Sequence, residues 1–216
     1  METGIHNTSE IGRLRKVILH RPGRELENLM PEHLSRLLFD DIPYLKEAQR
    51  EHDAFAACLR EAGVEVIYLA DLTAESLTSP EVRQEFVQNF LDEADLHGEN
   101  TRPALETYFS DLQDQQLVET MIAGVRKSEL RKSGARLGDY VSAAEDDYPF
   151  AVDPLPNLYF TRYRFATIGT GVSLHRMHTA TRNRETLFGK MIFEHHPVYR
   201  SAPRWYDRGE TSSLEG

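Results

Sequence analysis

Hydrophobic positions in the first third of the chain follow a strand, helix, strand order. Residues 15–20 form a short apolar run that ends at Arg21-Pro22-Gly23, which predicts a strand closed by a turn. Residues 46–62 place Ala48, Phe55, Leu59 and Ala62 on one helical face, and Gly63 ends the helix. The β-branched run 64–69 predicts a second strand, so residues 15–70 form a strand, loop, helix, strand unit.

A helical pattern replaces this order at Ser79-Pro80-Glu81, where a capping residue, a proline and an acidic residue open a helix. Apolar residues at a spacing of four then predict several helices over residues 79–133: Val82, Phe86, Phe90, Leu117, Met121 and Val125. Strand character returns at 160–168, and Gly169-Thr170-Gly171 predicts a hairpin turn into 172–174. A helix is predicted over 181–195, ended by Pro197.

The charge of the chain is concentrated in one block. The 216 residues carry a net charge of −10, and residues 71–120 hold 12 acidic residues against two arginines, Arg83 and Arg102. The rest of the chain is balanced, with 23 residues of each sign, and offers no basic surface for a nucleic acid. We therefore expect no nucleic-acid partner, and we interpret the block as the solvated face of a helical subdomain rather than an interaction patch.

Membrane insertion and disulfide chemistry are not expected. No stretch reaches the roughly 20 apolar residues of a membrane span, and the first residues lack the pattern of a secretory signal, which predicts a cytoplasmic protein. The single cysteine, Cys58, excludes a disulfide framework. Because Cys58 lies beside Phe55 and Leu59 in the predicted stripe, we expect a buried structural thiol that reacts slowly with alkylating agents.

Metal and cofactor sites are not predicted. The pairs His175/His178 and His195/His196 have no accompanying cysteine pair or His-Glu-x-x-His spacing, so surface or half-buried histidines explain them better. No phosphate-binding glycine loop is present, since Gly169-Thr170-Gly171 is accounted for by the hairpin turn.

Several motifs together resemble one enzyme family. They include Leu38-Phe39-Asp40-Asp41-Ile42-Pro43, the segment 155–162 (LPNLYFTR), the segment 181–188 (TRNRETLF), Trp205-Tyr206-Asp207-Arg208 and Ser213-Leu214-Glu215-Gly216. In this order, and together with Gly4-Ile5-His6 and Leu14-Arg15-Lys16-Val17, they resemble the arginine deiminases along the whole chain.

The resemblance implies an α/β fold of the pentein type, in which modules surround a central active site. It implies partial pentein modules here: residues 1–72 as a first module, 73–142 as an inserted helical subdomain, and 143–216 as a second module. It also implies hydrolysis of L-arginine to L-citrulline and ammonia without a cofactor, by a cysteine thiolate, a histidine and carboxylates that hold the guanidinium group.

Four residues match positions of that family's site. The resemblance assigns Asn157 and Phe160 to substrate binding, Arg182 to the substrate carboxylate and Glu215 to catalysis. Taken singly, Asn157 is typical of a turn, Phe160 of a core and Arg182 of a surface. Their joint spacing favours the functional interpretation.

Two departures predict that this chain is inactive alone. Tyr163-Arg164 stands where the family has Asp-Pro, so position 163 lacks a guanidinium-binding carboxylate and a cation follows it. The sequence also ends at Gly216, about half the family's length, without the family's histidine module and cysteine.

The leading hypothesis is therefore an arginine deiminase homologue present as an N-terminal fragment, which self-associates because unpaired strand edges and apolar flanks are left open. The alternative is a non-catalytic protein that binds a partner such as an intact deiminase subunit. Another guanidine-modifying pentein, an amidinotransferase or a dimethylarginine hydrolase, fits the helical insertion and the 181–188 run less well.

Overall fold

The first sheet pairs two parallel strands of the predicted strand, helix, strand unit. In the computed structural model, which describes residues 4–96, 100–132 and 148–214, β1 (Lys16–Leu19) pairs with β2 (Glu65–Tyr68), and Val17 lies opposite Val66. The connection contains the helices α1 (Arg24–Glu27), α2 (Leu34–Leu37) and α3 (Leu45–Glu61). The predicted order of elements in residues 15–70 is confirmed.

The predicted inner face of α3 is wrong. His52 and Ala56 are its buried residues, whereas Phe55 is 53% exposed and Cys58 is exposed. The hydrophobic pattern misassigned the face because its inner side carries a small residue and a histidine, whose ring lies 6.1 Å from the Tyr68 ring. Cys58 is therefore a surface thiol and not the buried structural cysteine that the stripe predicted.

The segment predicted as helical is helical over most of its length. It is preceded by a helix that the sequence pattern did not predict, α4 (Leu69–Glu75), which directly follows β2. The predicted segment comprises α5 (Pro80–Asp92), α6 (Thr101–Ser110), α7 (Asp114–Ala123) and α8 (Lys127–Lys132), and Ser79 caps α5 as expected. A two-residue strand, β3 (Val125–Arg126), interrupts it and pairs antiparallel with β4 (Phe150–Val152). The proposed boundary between residues 142 and 143 lies outside the described residues.

A three-stranded sheet contains the predicted hairpin. The strands β5 (Phe165–Ile168) and β6 (Gly171–Leu174) are antiparallel, and β7 (Arg204–Tyr206) pairs parallel with β6. Gly171 is required here because an added Cβ would overlap the carbonyl oxygen of Pro203. The first strand begins five residues later than predicted, since two short 3-10 helices occupy Pro156–Tyr159 and Thr161–Tyr163.

The helix predicted over 181–195 is two helices, α9 (Ala180–Asn183) and α10 (Thr186–His195). The break falls at Arg184 and Glu185, whose side chains are both buried. Arg184 is buried against Asp153 and Phe90, and Glu185 against Arg164, so the two side chains have different partners at this break.

The larger of two hydrophobic clusters among the described residues joins the segments, and the smaller one contains Leu26, Leu29 and Leu37. The larger cluster extends from Ile5 to Ala202 and includes residues of α4 to α8, β4 to β6 and α10. The rings of Phe86 and Phe90 on α5 pack edge-to-face against Phe188 of α10, with centroids 5.5 and 6.5 Å apart. No described helix is both long enough and apolar enough for a transmembrane span.

The acidic block is neutralised in part by cations from elsewhere in the chain. Three of its carboxylates form such pairs: Glu85 with Lys190 at 3.4 Å, Glu93 with Arg208 at 2.7 Å and Asp95 with Arg36 at 3.3 Å. Glu75 lies 3.0 Å from Nε2 of His196. The block is helical, as predicted, and Glu75, Glu85 and Asp95 remain exposed over 62, 44 and 71% of their side chains.

Candidate functional site

Asn157 connects the first 3-10 helix to the segment after α2. Its side chain is 6% exposed, and its Nδ2 donates to the carbonyl oxygens of Leu37 at 3.0 Å and Leu38 at 3.3 Å. Leu38 has the left-handed backbone conformation, with φ of 53°, and is 46% exposed. Pro156 presets the backbone angle at the start of the 3-10 helix, so Asn157 is held on a short, defined turn.

Three aromatic side chains form a half-exposed row along the two 3-10 helices. The centroid of the Phe160 ring lies 5.3 Å from that of Tyr159 and 5.8 Å from that of Tyr163, in edge-to-face arrangements. Tyr159, Phe160 and Tyr163 are 46, 44 and 37% exposed. This aromatic row therefore offers an apolar surface at the position where the family pattern has a carboxylate, residue 163.

Arg164 lies beneath the row rather than beside an open site. Its side chain is fully buried, forms an ion pair with Glu185, and donates to the carbonyl oxygens of Asn157 and, at 3.3 Å, Phe160. Arg164 is thus a cation next to position 163, as the sequence indicates, but it is paired with a carboxylate. The carboxylate that pairs with it, Glu185, is itself only 2% exposed.

Burial raises the pKa of Glu185 to about 7, while Arg164, Arg182 and Arg184 oppose the shift. Removal of the carboxylate from water favours the neutral acid, and the nearby guanidinium groups favour the anion. The ionisation of Glu185 above neutral pH thus depends on its arginine neighbours.

Arg182 borders the same row. Its guanidinium carbon lies 5.5 Å from the centre of the Tyr163 ring, and its Nε lies 3.7 Å from Glu185 Oε2, which is too long for a hydrogen bond. Within the described residues its Nε has no hydrogen-bond partner, and its side chain is 19% exposed. The group is oriented by Tyr163 and Glu185 but retains hydrogen-bonding capacity.

The residues after Arg182 anchor this segment to α5. Arg184 Nη2 donates to the carbonyl oxygen of Asp153 at 2.9 Å, and its guanidinium carbon lies 4.8 Å from the Phe90 ring centre. Asn183 Nδ2 donates to Glu93 at 3.1 Å, and Arg208 binds the same carboxylate. Arg182 thus belongs to a segment that is held in place by the hydrogen bonds of Asn183 and Arg184.

The structure brings together Asn157, Phe160, Tyr163 and Arg182, whereas Glu215 lies outside the described residues. Sequence reasoning missed Arg164 and Glu185 as partners, and it missed His175, whose Nδ1 lies 3.0 Å from the Tyr163 carbonyl oxygen. Burial lowers the pKa of His175. The three-residue spacing of Arg182 and Glu185 was the one signal that could have suggested a contact.

Two other regions carry polar clusters. Glu85, Glu194 and His195 lie within 4.8 Å of one another, but Lys190 Nζ is 3.4 Å from Glu85 and 3.5 Å from Glu194 and supplies the cation that they attract. A cleft of about 770 Å³ opens at the carboxyl ends of β1 and β2 and is lined by residues such as His20, Asp53, Tyr68 and Gln115. Of the family-matched residues that the structure describes, Asn157, Phe160 and Arg182 do not line it.

Comparisons with known proteins agree with the resemblance of the motifs. A family model described as arginine deiminase matches residues 35–216. Arginine deiminases of Streptococcus equi subsp. zooepidemicus, Streptococcus equi subsp. equi and Streptococcus pyogenes are each 56% identical over 218 aligned residues, which cover 100% of this chain and 53% of the relative. The chain spans about half the length of the curated relatives it matches. On this evidence the chain belongs to the arginine deiminase family.

Proposed function

We propose that this chain supplies the carboxylate-binding part of an arginine deiminase site, for the hydrolysis of L-arginine to L-citrulline and ammonia in the cytoplasm. The observation that carries the proposal is a pair of contacts. The guanidinium group of Arg182 lies over the ring of Tyr163 in the aromatic row, and Arg164, the next residue, donates a hydrogen bond to the carbonyl oxygen of Asn157. Residues that the family pattern assigns to one site are thus neighbours here, although they are separated along the chain.

Each residue has a distinct role in the proposal. Arg182 binds the substrate carboxylate, because a guanidinium group presents two parallel donors to the two carboxylate oxygens. Asn157 and Phe160 form the adjoining wall, with Asn157 fixing the Leu37–Leu38 backbone and Phe160 facing the substrate. Glu215 contributes the catalytic carboxylate.

The chemical step needs groups beyond these residues. A delocalised guanidinium is a poor electrophile, so it requires carboxylates that orient it and a thiolate that attacks its carbon. Cys58, the single cysteine of this sequence, lies exposed on α3, and Tyr163 replaces the carboxylate. We therefore propose that the chain alone does not turn over arginine.

The architecture that goes with this function is a set of partial pentein modules: residues 1–72, an inserted helical subdomain of residues 73–142, and residues 143–216. The half-exposed strands β1 and β2 and the exposed Trp205 on β7 leave surfaces for self-association. The same surfaces favour the second candidate function, in which the chain binds an intact deiminase subunit without catalysis.

Citrulline formation tests the proposal. The isolated chain, incubated with L-arginine, is expected to release no citrulline. A chimera that joins this chain to the remaining half of the Streptococcus pyogenes relative supplies the missing groups, and it is expected to be active once Tyr163 is changed to Asp.

Without that change, activity is expected to be lower by roughly thirtyfold to several thousandfold, the cost of a missing buried charged partner. Arg182→Gln in the active chimera is expected to raise KM, while Arg162→Gln serves as the matched control. Citrulline release by the isolated chain, or an Arg182→Gln chimera with unchanged KM, contradicts the proposal. Capture of an intact subunit with no activity in any chimera favours the binding function.

A further inference from the structure

The aromatic row changes the kind of side chain that this half-site can accept. Tyr163 stands in the row beside Phe160, and both rings are between a third and a half exposed. An exposed pair of rings favours contact with an apolar or aromatic group, through burial of apolar area and edge-to-face packing. A phenol ring offers no negative charge to a guanidinium group.

The local charge balance also disfavours a cation. Arg164 and Arg182 both lie against the buried carboxylate of Glu185, and Arg184 is close enough to act on the same group. Glu185 is 2% exposed and engaged by Arg164, so it is not presented to a ligand. The neighbouring Arg162 is balanced by Glu10 at 2.9 Å on the surface. A cluster of guanidinium groups favours a bound anion and disfavours a cationic side chain.

Arg182 supplies the donor for such an anion. Its guanidinium carbon is held 5.5 Å from the Tyr163 ring centre, and its Nε has no hydrogen-bond partner within the described residues. A carboxylate bound there places the rest of the ligand next to the ring that orients Arg182. The anchoring of the 181–188 segment through Asn183 and Arg184 preorganises this arrangement.

From these contacts we propose that the half-site selects amino acids with an uncharged aromatic or apolar side chain over arginine, with the carboxylate on Arg182 and the side chain across Phe160 and Tyr163. The inference rests on the proposed carboxylate-binding role of Arg182 and specifies the substrate class of the same site. It assigns Tyr163 as the residue that determines specificity.

Ligand-observed NMR titration of the full chain at pH 8 tests the inference. The probes are L-phenylalanine, L-arginine and L-phenylalaninamide, which keeps the ring and lacks the carboxylate. L-phenylalanine is expected to bind about tenfold more tightly than either of the others, the ratio produced by one aromatic contact or one charged hydrogen bond. Tyr163→Asp is expected to reverse the order of L-phenylalanine and L-arginine.

Two variants separate this inference from the proposed function. Arg182→Gln is expected to reduce L-phenylalanine binding about tenfold, and Arg162→Gln, an equal charge change at an exposed neighbour, is expected to leave it within about twofold. If L-arginine binds as tightly as L-phenylalanine and both depend on Arg182, the selectivity is overturned while the carboxylate-binding role stands.

If binding is independent of Arg182, both the selectivity and that role are overturned. If no probe binds, the selectivity is overturned, and the citrulline assay of the chimeras then decides the proposed function separately.

Discussion

At the scale of single residues, the main structural effect of the Tyr163-Arg164 dipeptide is the buried ion pair that Arg164 forms with Glu185. Arg164 reaches from the second 3-10 helix to the break between α9 and α10, and it binds two backbone carbonyl groups on the way. Removal of one partner leaves a buried charge without compensation, which is more costly than removal of both. The pair is therefore a structural requirement even in a chain that performs no catalysis.

Arg164→Met is expected to destabilise the chain by about 3 to 5 kcal/mol at pH 8, because the buried Glu185 carboxyl loses its ion-pair partner and must either ionise without it or take up a proton. The double variant Arg164→Met/Glu185→Leu is expected to cost clearly less than Arg164→Met alone. Urea unfolding monitored by circular dichroism measures the three free energies, and the exposed Arg162→Met is the control. A double variant that costs the sum of its two single variants contradicts this account.

His52 is expected to make stability depend on pH. Burial lowers its pKa, helped by His20, Arg21 and Arg60 and opposed by Asp53. The folded state therefore binds fewer protons than the unfolded state below about pH 6.5, so stability falls as the pH falls through that value. The unfolding midpoint in urea is expected to drop less between pH 7.5 and 5.5 in His52→Gln than in the exposed control His6→Gln. Equal drops contradict the prediction.

At the scale of elements, the sequence predicted where helices and strands occur better than which faces they bury. The order β1, α3, β2 follows from alternation and a glycine stop. The buried face of α3 does not follow from the hydrophobic pattern, because His52 and Ala56 are its buried residues and Phe55 is exposed. The break between α9 and α10 was likewise hidden, since only tertiary contacts explain why Arg184 and Glu185 both turn inward.

The corrected face of α3 makes the thiol of Cys58 accessible. Iodoacetamide is expected to label Cys58 in the folded chain within about threefold of the rate in urea, because exposure leaves no structural barrier to the reagent. Mass spectrometry of the labelled chain measures both rates. If labelling of Cys58 is a hundredfold or more slower in the folded chain than in urea, the thiol is buried, as the hydrophobic stripe predicted, and the exposed position is contradicted.

The end of α5 is joined to the candidate site by one carboxylate. Glu93 accepts two bonds of 2.7 Å from Arg208 and one of 3.1 Å from Asn183, next to Arg182. Glu93→Gln is expected to cost about 1 to 3 kcal/mol, the range for hydrogen bonds to charged groups. Glu51→Gln, at an exposed position of α3, is expected to change stability by less than about 0.5 kcal/mol. Equal effects of the two substitutions in urea unfolding would sink this role for Glu93.

At the scale of the whole molecule, the acidic block is distinct in the sequence but shares its hydrophobic core with the rest of the chain. The helices of the acidic block contribute Phe86, Leu105 and Leu117 to the same cluster as Leu174 and Phe188 from the second half. Their carboxylates also pair with Lys190 and Arg208. The block stands out in the sequence because its acidic residues are clustered there. The ion-pair partners Lys190 and Arg208 come from distant parts of the chain, so the clustering does not appear in the folded structure as a separate unit.

A shared core predicts one cooperative unfolding transition. Leu105 on α6 is fully buried, and Leu105→Ala is expected to cost about 2 to 5 kcal/mol through lost burial and the cavity left behind. Trp205, the single tryptophan, lies on β7 and reports on the three-stranded sheet, while circular dichroism at 222 nm reports on all helices. If one core couples them, the substitution shifts the urea midpoints of both signals by the same amount. A shift confined to circular dichroism, with the Trp205 fluorescence transition unchanged, would instead make the helical insertion an independently folding domain.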